Sequence, residues 1–526
     1  MVPLSTRSEQ RESAPKPPAP GVPAAGVAFG EVFSRALSAA SEHQSLLTDG
    51  RLSLSYSELS GHFTHLDAFF ASHHIVPGSI LVLECVNSVP GALSLLYVMS
   101  RGFSLVLLPP PGKAAPSVPL PRFCHHRLTV QSQLVDGADI VLNRPETFLQ
   151  YTRSEEPVLP LDPAHATGKI FLRTSGSIGT PKLAMYTHGQ LLANALNAVE
   201  RLHLSEADHI SLPVPLCHMF GLGAGFLPGF SVGASLGFVE GANILRYLEH
   251  ERYFRPTVAF MTPALCSMFL RQQSAPEHYR HVVLAGDKLK PESFDAAEAR
   301  FRRAVLLYGT TEMGVIAASD AESHEGPRSV TVGPPLPGIE LKLEQPSDAG
   351  AAPEVVAGAI VCRHPHGFEG YVDNDGGPWT GEPPFHEGWY RTRDWGRLHA
   401  GGLLEVLGRQ DHSVNRDGRL VLLAEVERAL EGITDVAQAI TLLGAENLRG
   451  RHILALCTPR EGRSLDSAQV RAACASLLPP YATPDEVRIL PSFPLLPNGK
   501  IDRRTLMVQF TGTPPPPASE KKENQT

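Results

Sequence analysis

Thr174-Ser175-Gly176-Ser177-Ile178-Gly179-Thr180-Pro181-Lys182 is a run of small hydroxylated residues and glycines that closes on Pro-Lys. The apolar stretch Lys169-Ile170-Phe171-Leu172 leads in, and a helix-like pattern, Gln190-Leu191-Leu192-Ala193-Asn194-Ala195-Leu196, follows shortly after. Glycines let backbone N–H groups approach an anion closely, hydroxyls add donors, and a lysine adds a point charge. The composition is that of a phosphate-holding loop. It is not the Walker loop, which needs G-x-x-x-x-G-K-[ST], because Lys182 follows Thr-Pro and Leu183 comes next. A surface Ser/Gly loop shares this composition, so the decision passes to the rest of the chain.

Outward from the loop, apolar runs rich in branched residues alternate with amphipathic stretches through the first 400 residues. The runs lie at 79–83, 104–108, 138–142, 257–261 and 282–285, and the helical patterns at 91–99, 190–202, 244–251 and 263–272. This alternation predicts βαβ units with sheets covered on both faces. Phosphates in such folds sit where the carboxyl end of a strand leads through a loop into a helix, and 174–182 lies at such a place. Residues 211–239 carry no charge except His218 and are long enough to span a bilayer, but Pro213, Pro215, Pro228 and six glycines mark them as buried strands and turns.

From about residue 330 short strands and turns take over at 332–334, 339–343 and 358–361, which reads as a small β-rich subdomain ending near Leu407. After Gly408-Arg409-Gln410-Asp411 come a helix (423–430), strands (437–443, 452–457), a helix (467–478) and a strand (486–490). The expected organisation is a disordered arm (1–26), a large domain (27–408), a hinge (409–412), a C-terminal lid (413–508) and a disordered tail (509–526).

With 526 residues, two or more domains are expected. Charged residues make up 19% and the formal net charge is −8, without basic runs, which argues against nucleic acid or an anionic membrane as partner. Seven cysteines, an odd number without a C-x-x-C pair, fit a reducing cytoplasm and exclude a structural zinc site of the usual spacing. The N-terminus has no apolar core of a signal peptide, so a cytoplasmic protein without a membrane span is expected.

Three further segments follow the loop in order: Leu307-Tyr308-Gly309-Thr310-Thr311-Glu312, Gly388-Trp389-Tyr390-Arg391-Thr392-Arg393-Asp394 and Pro497-Asn498-Gly499-Lys500-Ile501-Asp502-Arg503. With the loop, they resemble the motif set of the adenylate-forming superfamily, which comprises acyl- and aryl-CoA synthetases, peptide-synthetase adenylation domains and luciferases. The resemblance runs from about residue 29 to 506. It implies an α/β fold: a large N-terminal domain of parallel sheets with helices, a small β-rich subdomain, and a mobile α+β C-terminal domain. It also implies a reaction in which a carboxylate attacks the α-phosphate of ATP to give acyl-AMP and pyrophosphate, and a thiol then displaces AMP. ATP, Mg²⁺ and CoA or a phosphopantetheine arm are the cofactors that follow.

The resemblance places ATP on Thr174, Ser175, Gly176, Ser177, Gly179, Thr180 and Lys182, with Tyr308 near adenine and Gly309 beside it. Thr310 or Thr311 would donate to the α-phosphate, and Glu312 would ligate Mg²⁺ as a hard carboxylate. Asp394 would accept the ribose hydroxyls and Arg409 would reach the ribose or phosphate. Asp411 stands at the hinge, Gly418 at the pantetheine tunnel, and Lys500 would bridge carboxylate and α-phosphate from the mobile domain. The acid pocket would be built from Cys217, His218, Gly221 and Gly286, with His218 as gate. The Phe-Asp pair by which peptide-synthetase domains hold an amino group is absent, which disfavours an α-amino acid and points to a compact aryl or short acyl acid. Three residues depart from the pattern: Ile178 stands for threonine, Arg393 for the glycine before Asp394, and Asn415 for the commoner lysine. If the backbone at 393 needs a positive φ, it is strained there.

The first expectation is thus an ATP-dependent acid–thiol ligase of secondary metabolism, such as antibiotic biosynthesis. The departures leave room for a second: an acyltransferase of the same fold, moving an acyl or aroyl group such as anthraniloyl from CoA to an acyl carrier protein without adenylation. Two others are weaker. Cys217 next to His218 allows a thiol nucleophile beside a base, although neighbours on a strand face opposite ways. Gly229-Phe230-Ser231-Val232-Gly233 spells G-x-S-x-G, but Pro228 precedes it and no helical pattern follows.

Overall fold

The computed structural model describes residues 27–511 apart from 111–119, 132–139, 155–157, 160, 162–167, 175–181, 242, 272–277, 288, 323–325, 345–356, 378, 380–382, 417–418, 448–449 and 495–500. Residues 175–181, Gly418, Lys500 and the expected N-terminal arm lie outside the described residues. The C-terminal helix Arg503–Thr511 runs past the point where a tail was expected to begin.

Two large mixed sheets form the body of the molecule. The 8-stranded sheet runs, in spatial order, Gly314–Ala318, Ala304–Thr310, His281–Leu284, Val258–Met261, His209–Leu212, Ser235–Phe238, Leu46–Thr48 and Ser53–Ser55. All its pairings are parallel except those at the two edges. The 7-stranded sheet runs Gly370–Val372, Leu183–Thr187, Lys169–Arg173, Ser104–Leu108, Ile80–Glu84, His126–Val130 and Leu149–Arg153. Its central strands are buried at every position, which is why they read as unbroken apolar runs.

One side chain ties these sheets together. The Asn87 amide, just beyond Ile80–Glu84, donates to the carbonyls of Leu212 (3.1 Å) and Val214 (2.7 Å) and accepts from the Leu216 N–H (2.8 Å). A buried amide with its groups satisfied is stable there, and one with partners removed is costly.

Of the strand expected at 138–142, residues 138–139 lie outside the described residues and 140–142 form no strand. Residues 140–142 run into a turn ahead of Pro145–Thr147, and the sheet edge is built instead by the antiparallel pair His126–Val130 and Leu149–Arg153. In His126–Val130 buried and half-buried residues alternate, as in a strand whose second face meets solvent. Residues 332–334 likewise form no strand.

The apolar segment 211–239 is core, as expected, but it holds a helix between its strands. A π-helical stretch, Phe220–Phe226, runs into Leu227–Ser231. Gly221, Gly223 and Gly225 pack so closely on Pro215, Met219 and Leu212 that none has room for a Cβ. Ser231 is buried at the helix end and its hydroxyl donates to the Pro228 carbonyl (2.7 Å), so it is no exposed nucleophile. Cys217 sits in a turn and not on a strand, and burial pushes its thiol up to about 12, which removes the thiolate that nucleophilic attack needs.

A 5-stranded antiparallel sheet follows, built from Glu340–Glu344, Gly358–Arg363, Trp389–Leu398, Phe385–His386 and Leu404–Arg409. The last unit packs helices Leu423–Glu431 and Ser467–Leu477 on a second 5-stranded sheet with its own core, including Val426, Leu430, Ile453 and Ala455. It touches the rest of the molecule through ion pairs, Lys290 with Glu431 (3.1 Å), Arg397 with Glu425 (3.5 Å) and Arg428 with Glu405 (3.6 Å), and through the buried cluster of Trp395, Leu407 and Leu422. Among the described residues no helix is long and apolar enough to cross a membrane.

Candidate active site

The site is carried by β1 (Lys169–Arg173), β2 (Leu183–Thr187), α1 (His188–Arg201), β3 (Ala304–Thr310), β4 (Gly314–Ala318), β5 (Gly370–Val372), β6 (Trp389–Leu398) and β7 (Leu404–Arg409). β1 and β2 are antiparallel, with Lys169 opposite Thr187 and Arg173 opposite Leu183. The Thr174 N–H donates to the Lys182 carbonyl at 3.1 Å, closing the ends of the 175–181 loop. The loop therefore joins two antiparallel strands and does not lead into a helix, contrary to expectation. α1 begins only after β2, where the Thr187 hydroxyl and the Gln190 side chain cap each other's backbone N–H. That cap takes up an N–H group at the helix start. Any anion on the loop would depend on backbone N–H groups, hydroxyls and Lys182.

Glu312 lies in the tight turn between β3 and β4, with no helix after it. The Thr310 hydroxyl accepts from the Met313 N–H (3.1 Å), and the Tyr186 hydroxyl of β2 donates to the Thr311 carbonyl (2.9 Å). The Phe368 N–H donates to the Glu312 carbonyl (2.8 Å). Asn194 of α1, fully buried, donates to the carbonyls of Met313 (2.8 Å) and His366 (3.2 Å). Gly314 has φ +64°, and a Cβ there would overlap Asn194 Oδ1. Three elements thus pin this turn.

The Glu312 carboxylate is nearly buried. The Tyr371 hydroxyl of β5 donates to its Oε1 at 2.6 Å, and burial together with that carboxylate raises the Tyr371 hydroxyl far above its usual value, so it stays a donor. The Lys182 ammonium stands over the same Tyr371 ring, 3.9 Å from its centroid, and 5.2 Å from that of Trp379. Among the described residues no cluster of three or more His, Cys, Asp or Glu is arranged to hold an ion. A divalent ion on Glu312 would take phosphate oxygens and water as its other ligands, the pattern magnesium adopts with nucleotides.

Asp394 of β6 is the second buried carboxylate. The Tyr308 hydroxyl donates to its Oδ2 (2.6 Å), and Arg409 Nε of β7, directly opposite in register, lies 3.3 Å from its Oδ1. The pairing of β6 with Gly358–Arg363 slips here: Val361 faces Arg391 while Ala359 faces Trp395. Thr392, Arg393 and Asp394 bulge at this slip, and Arg393 takes φ +63°. The positive φ foreseen at the missing glycine is present.

His218 and Gly286 follow parallel strands His209–Leu212 and His281–Leu284, and Tyr308 to Thr310 end β3 just before Glu312. Parallel strands share their carboxyl edge, so these residues gather along one rim. His218 is exposed, and Gly286 has φ +91° with open space where a Cβ would stand. Cys217 is buried and stands close enough to Cys85 to interact with it electrostatically. Gly221 is closed in by Pro215. The side chain of Asp411 is outside the description. Sequence reasoning missed Asn194, Tyr186 and Tyr371: each acts across a sheet or through a long connection and carries no local motif.

Residues 124–372 match the family described as AMP-binding enzyme, and residues 425–500 match the AMP-binding enzyme C-terminal domain. An oxalate–CoA ligase of Arabidopsis thaliana is 27% identical over 73% of this chain and 75% of its own length. An indoleacetate–CoA ligase of Aromatoleum aromaticum is 26% identical over 87% and 94%. Of solved structures, ATP-bound MatB from Rhodopseudomonas palustris has a TM-score of 0.74 at 19% identity, covering 91% of this chain and 98% of that one. The anthranilate CoA ligase AuaEII with anthranoyl-AMP has 0.70 at 18%, covering 91% and 96%. Likeness at such identity shows the fold. The chain belongs to the AMP-binding, adenylate-forming enzymes, in their acyl- and aryl-CoA synthetase branch. It is an ATP-dependent ligase of the AMP-forming class, for which ATP and Mg²⁺ serve activation and CoA is the usual acceptor.

Proposed function

We propose that this enzyme activates a small carboxylic acid, aryl or short acyl, as its acyl-AMP and passes it to the thiol of CoA or of a carrier-protein phosphopantetheine. The observation that supports this best is the pair of buried carboxylates. Glu312 is presented on a braced turn and bonded by Tyr371, whose ring carries Lys182, and Asp394 is held by Tyr308 and Arg409. In the first step a carboxylate oxygen bonds to the α-phosphorus and the bond to the β-phosphate oxygen breaks. In the second, sulfur bonds to the acyl carbon and AMP leaves. Mg²⁺ bound by Glu312 and phosphate would offset the charge that develops.

In this reading the loop from Thr174 to Lys182 holds the outer phosphates, and Thr310 or Thr311 meets the α-phosphate. Asp394 and Arg409 take the ribose, while Lys500 completes the site for adenylation and leaves for thiolation. His218 and Gly286 border the acid, Gly418 admits the pantetheine arm, and Asp411 is the pivot. The N-terminal domain (27–408), hinge (409–412) and lid (413–508) are the moving parts. The test is acid-dependent ATP–pyrophosphate exchange across a panel of aryl and short-chain acids. No exchange with any of them, together with no binding of ATP, removes the ligase.

One observation favours the second reading, an acyl-CoA to carrier-protein transferase. Arg393 keeps a strained backbone and a bulky cation beside Asp394, where glycine would carry neither. Transfer from acyl-CoA to a carrier protein without pyrophosphate exchange would establish that reading.

A further inference from the structure

We propose that Tyr371 is a positioning residue for adenylation, coupling the carboxylate of Glu312, held by its hydroxyl, to the ammonium of Lys182, held on its ring. This rests on the ATP-site assignment above and goes beyond it, because no motif or role has pointed to Tyr371.

The geometry comes from strand pairing. Tyr371 of β5 lies opposite Ala184 of β2, and Lys182 stands two residues before Ala184, so both project to the same face of the sheet. β5 is a short edge strand, yet it is firmly attached. The Glu369 N–H donates to the Met185 carbonyl (2.8 Å), and Lys169 pairs with Glu369 (2.5 Å). The Tyr371 ring is also boxed by Phe368 at 4.8 Å and Trp379 at 6.0 Å. A ring held between these two neighbours can offer its face to a cation and its hydroxyl to an acid at once.

Two consequences follow. The hydroxyl occupies Glu312 Oε1 and, together with Tyr390, which bonds both Tyr371 and Glu312, sets the orientation in which the carboxylate meets an ion. The ring keeps Lys182 ordered next to that carboxylate before any nucleotide arrives, which lowers the entropy lost when phosphate takes the ammonium over. A phenylalanine would keep the second and lose the first. A leucine would lose both.

The experiment compares wild type, Tyr371→Phe and Tyr371→Leu by calorimetric titration of ATP at a series of Mg²⁺ concentrations, with melting midpoints as a check on folding. For Tyr371→Phe the Mg²⁺ concentration giving half-maximal ATP binding should rise roughly threefold to tenfold, while ATP affinity at saturating Mg²⁺ stays within about twofold. For Tyr371→Leu affinity at saturating Mg²⁺ should also fall, by about tenfold. A purely structural tyrosine would lower the melting midpoint and leave the Mg²⁺ dependence where it was. A wild-type Mg²⁺ midpoint in Tyr371→Phe overturns the proposal even if the leucine variant fails to fold, and leaves the ATP site standing. If the wild type itself binds no ATP, the ATP-site assignment falls and takes this proposal with it.

Discussion

At the scale of single residues, Arg393 is the most exposed to test. Its φ of +63° lies where an L-residue is crowded, at a cost of about 1–2 kcal/mol. Yet the bulge it occupies aims Asp394 at Tyr308 and Arg409, so the conformation has a use. Arg393→Gly should raise stability by about 1 kcal/mol, seen as a higher melting midpoint with Asp394 still in place. A lower midpoint would mean that the arginine's contacts outweigh the strain. Pyrophosphate exchange in the same variant separates the two readings of function, because a gain would show that the side chain obstructs adenylation. Asp394→Asn keeps the shape and removes the charge. ATP affinity should fall by about 1.5–3 kcal/mol, roughly tenfold to a hundredfold by calorimetry, since hydrogen bonds to a charged acceptor are the stronger kind. Unchanged affinity would exclude Asp394 from the ribose site.

Among elements, the turn between β3 and β4 decides whether Glu312 is presented at all. The turn is short, and nothing in Thr310-Thr311-Glu312-Met313-Gly314 announces the three braces that hold it. Asn194 is the central one, read from the sequence only as a member of a helical pattern. Gly314→Ala would meet both a disfavoured φ and the Asn194 amide, so a loss of about 2–3 kcal/mol or more is expected. Gly462→Ala is the control: its φ is +72° but the space around it is open, so only about 1 kcal/mol should be lost. Equal effects in thermal unfolding of the two variants would show that the Asn194 brace is unimportant. The 174–182 loop carries a similar lesson. Its composition was legible, but the element after it was misjudged, because Leu183 to Thr187 form an antiparallel partner to β1 before α1 begins.

For the whole molecule, acid is the informative variable. Burial lowers His188 and His250 to about 4 and His281 to about 3, so the folded protein holds them neutral. In the unfolded chain they take protons near 6.5. The unfolded state therefore binds more protons between those values, and stability falls as pH drops from about 6.5 toward 4, by up to about 1.4 kcal/mol per pH unit for each histidine. Above about 7 this contribution is complete. A melting midpoint that stays flat from pH 7 to 4.5 would contradict it, and His281→Asn, which cannot titrate, should flatten part of the slope. The ion pairs that join the last unit to the body, led by Lys290 with Glu431, each keep at least one partner partly exposed and so are weak individually, and the buried cluster of Trp395, Leu407 and Leu422 adds an apolar contact.

The sequence by itself determined the family and the α/β class, because these follow from short motifs and local periodicity, and it singled out Glu312 and Asp394 as candidates. It also singled out Arg393 as one of three departures from the family pattern, and at this position the backbone has φ +63°. Only the tertiary structure decided that Tyr371 joins Glu312 to Lys182, that Asn194 braces a turn 119 residues away, and that Tyr308 and Arg409 share one carboxylate. Those pairings are set by which strands lie side by side. Strand neighbours are chosen by burial over the whole core, and no window of local sequence records that choice.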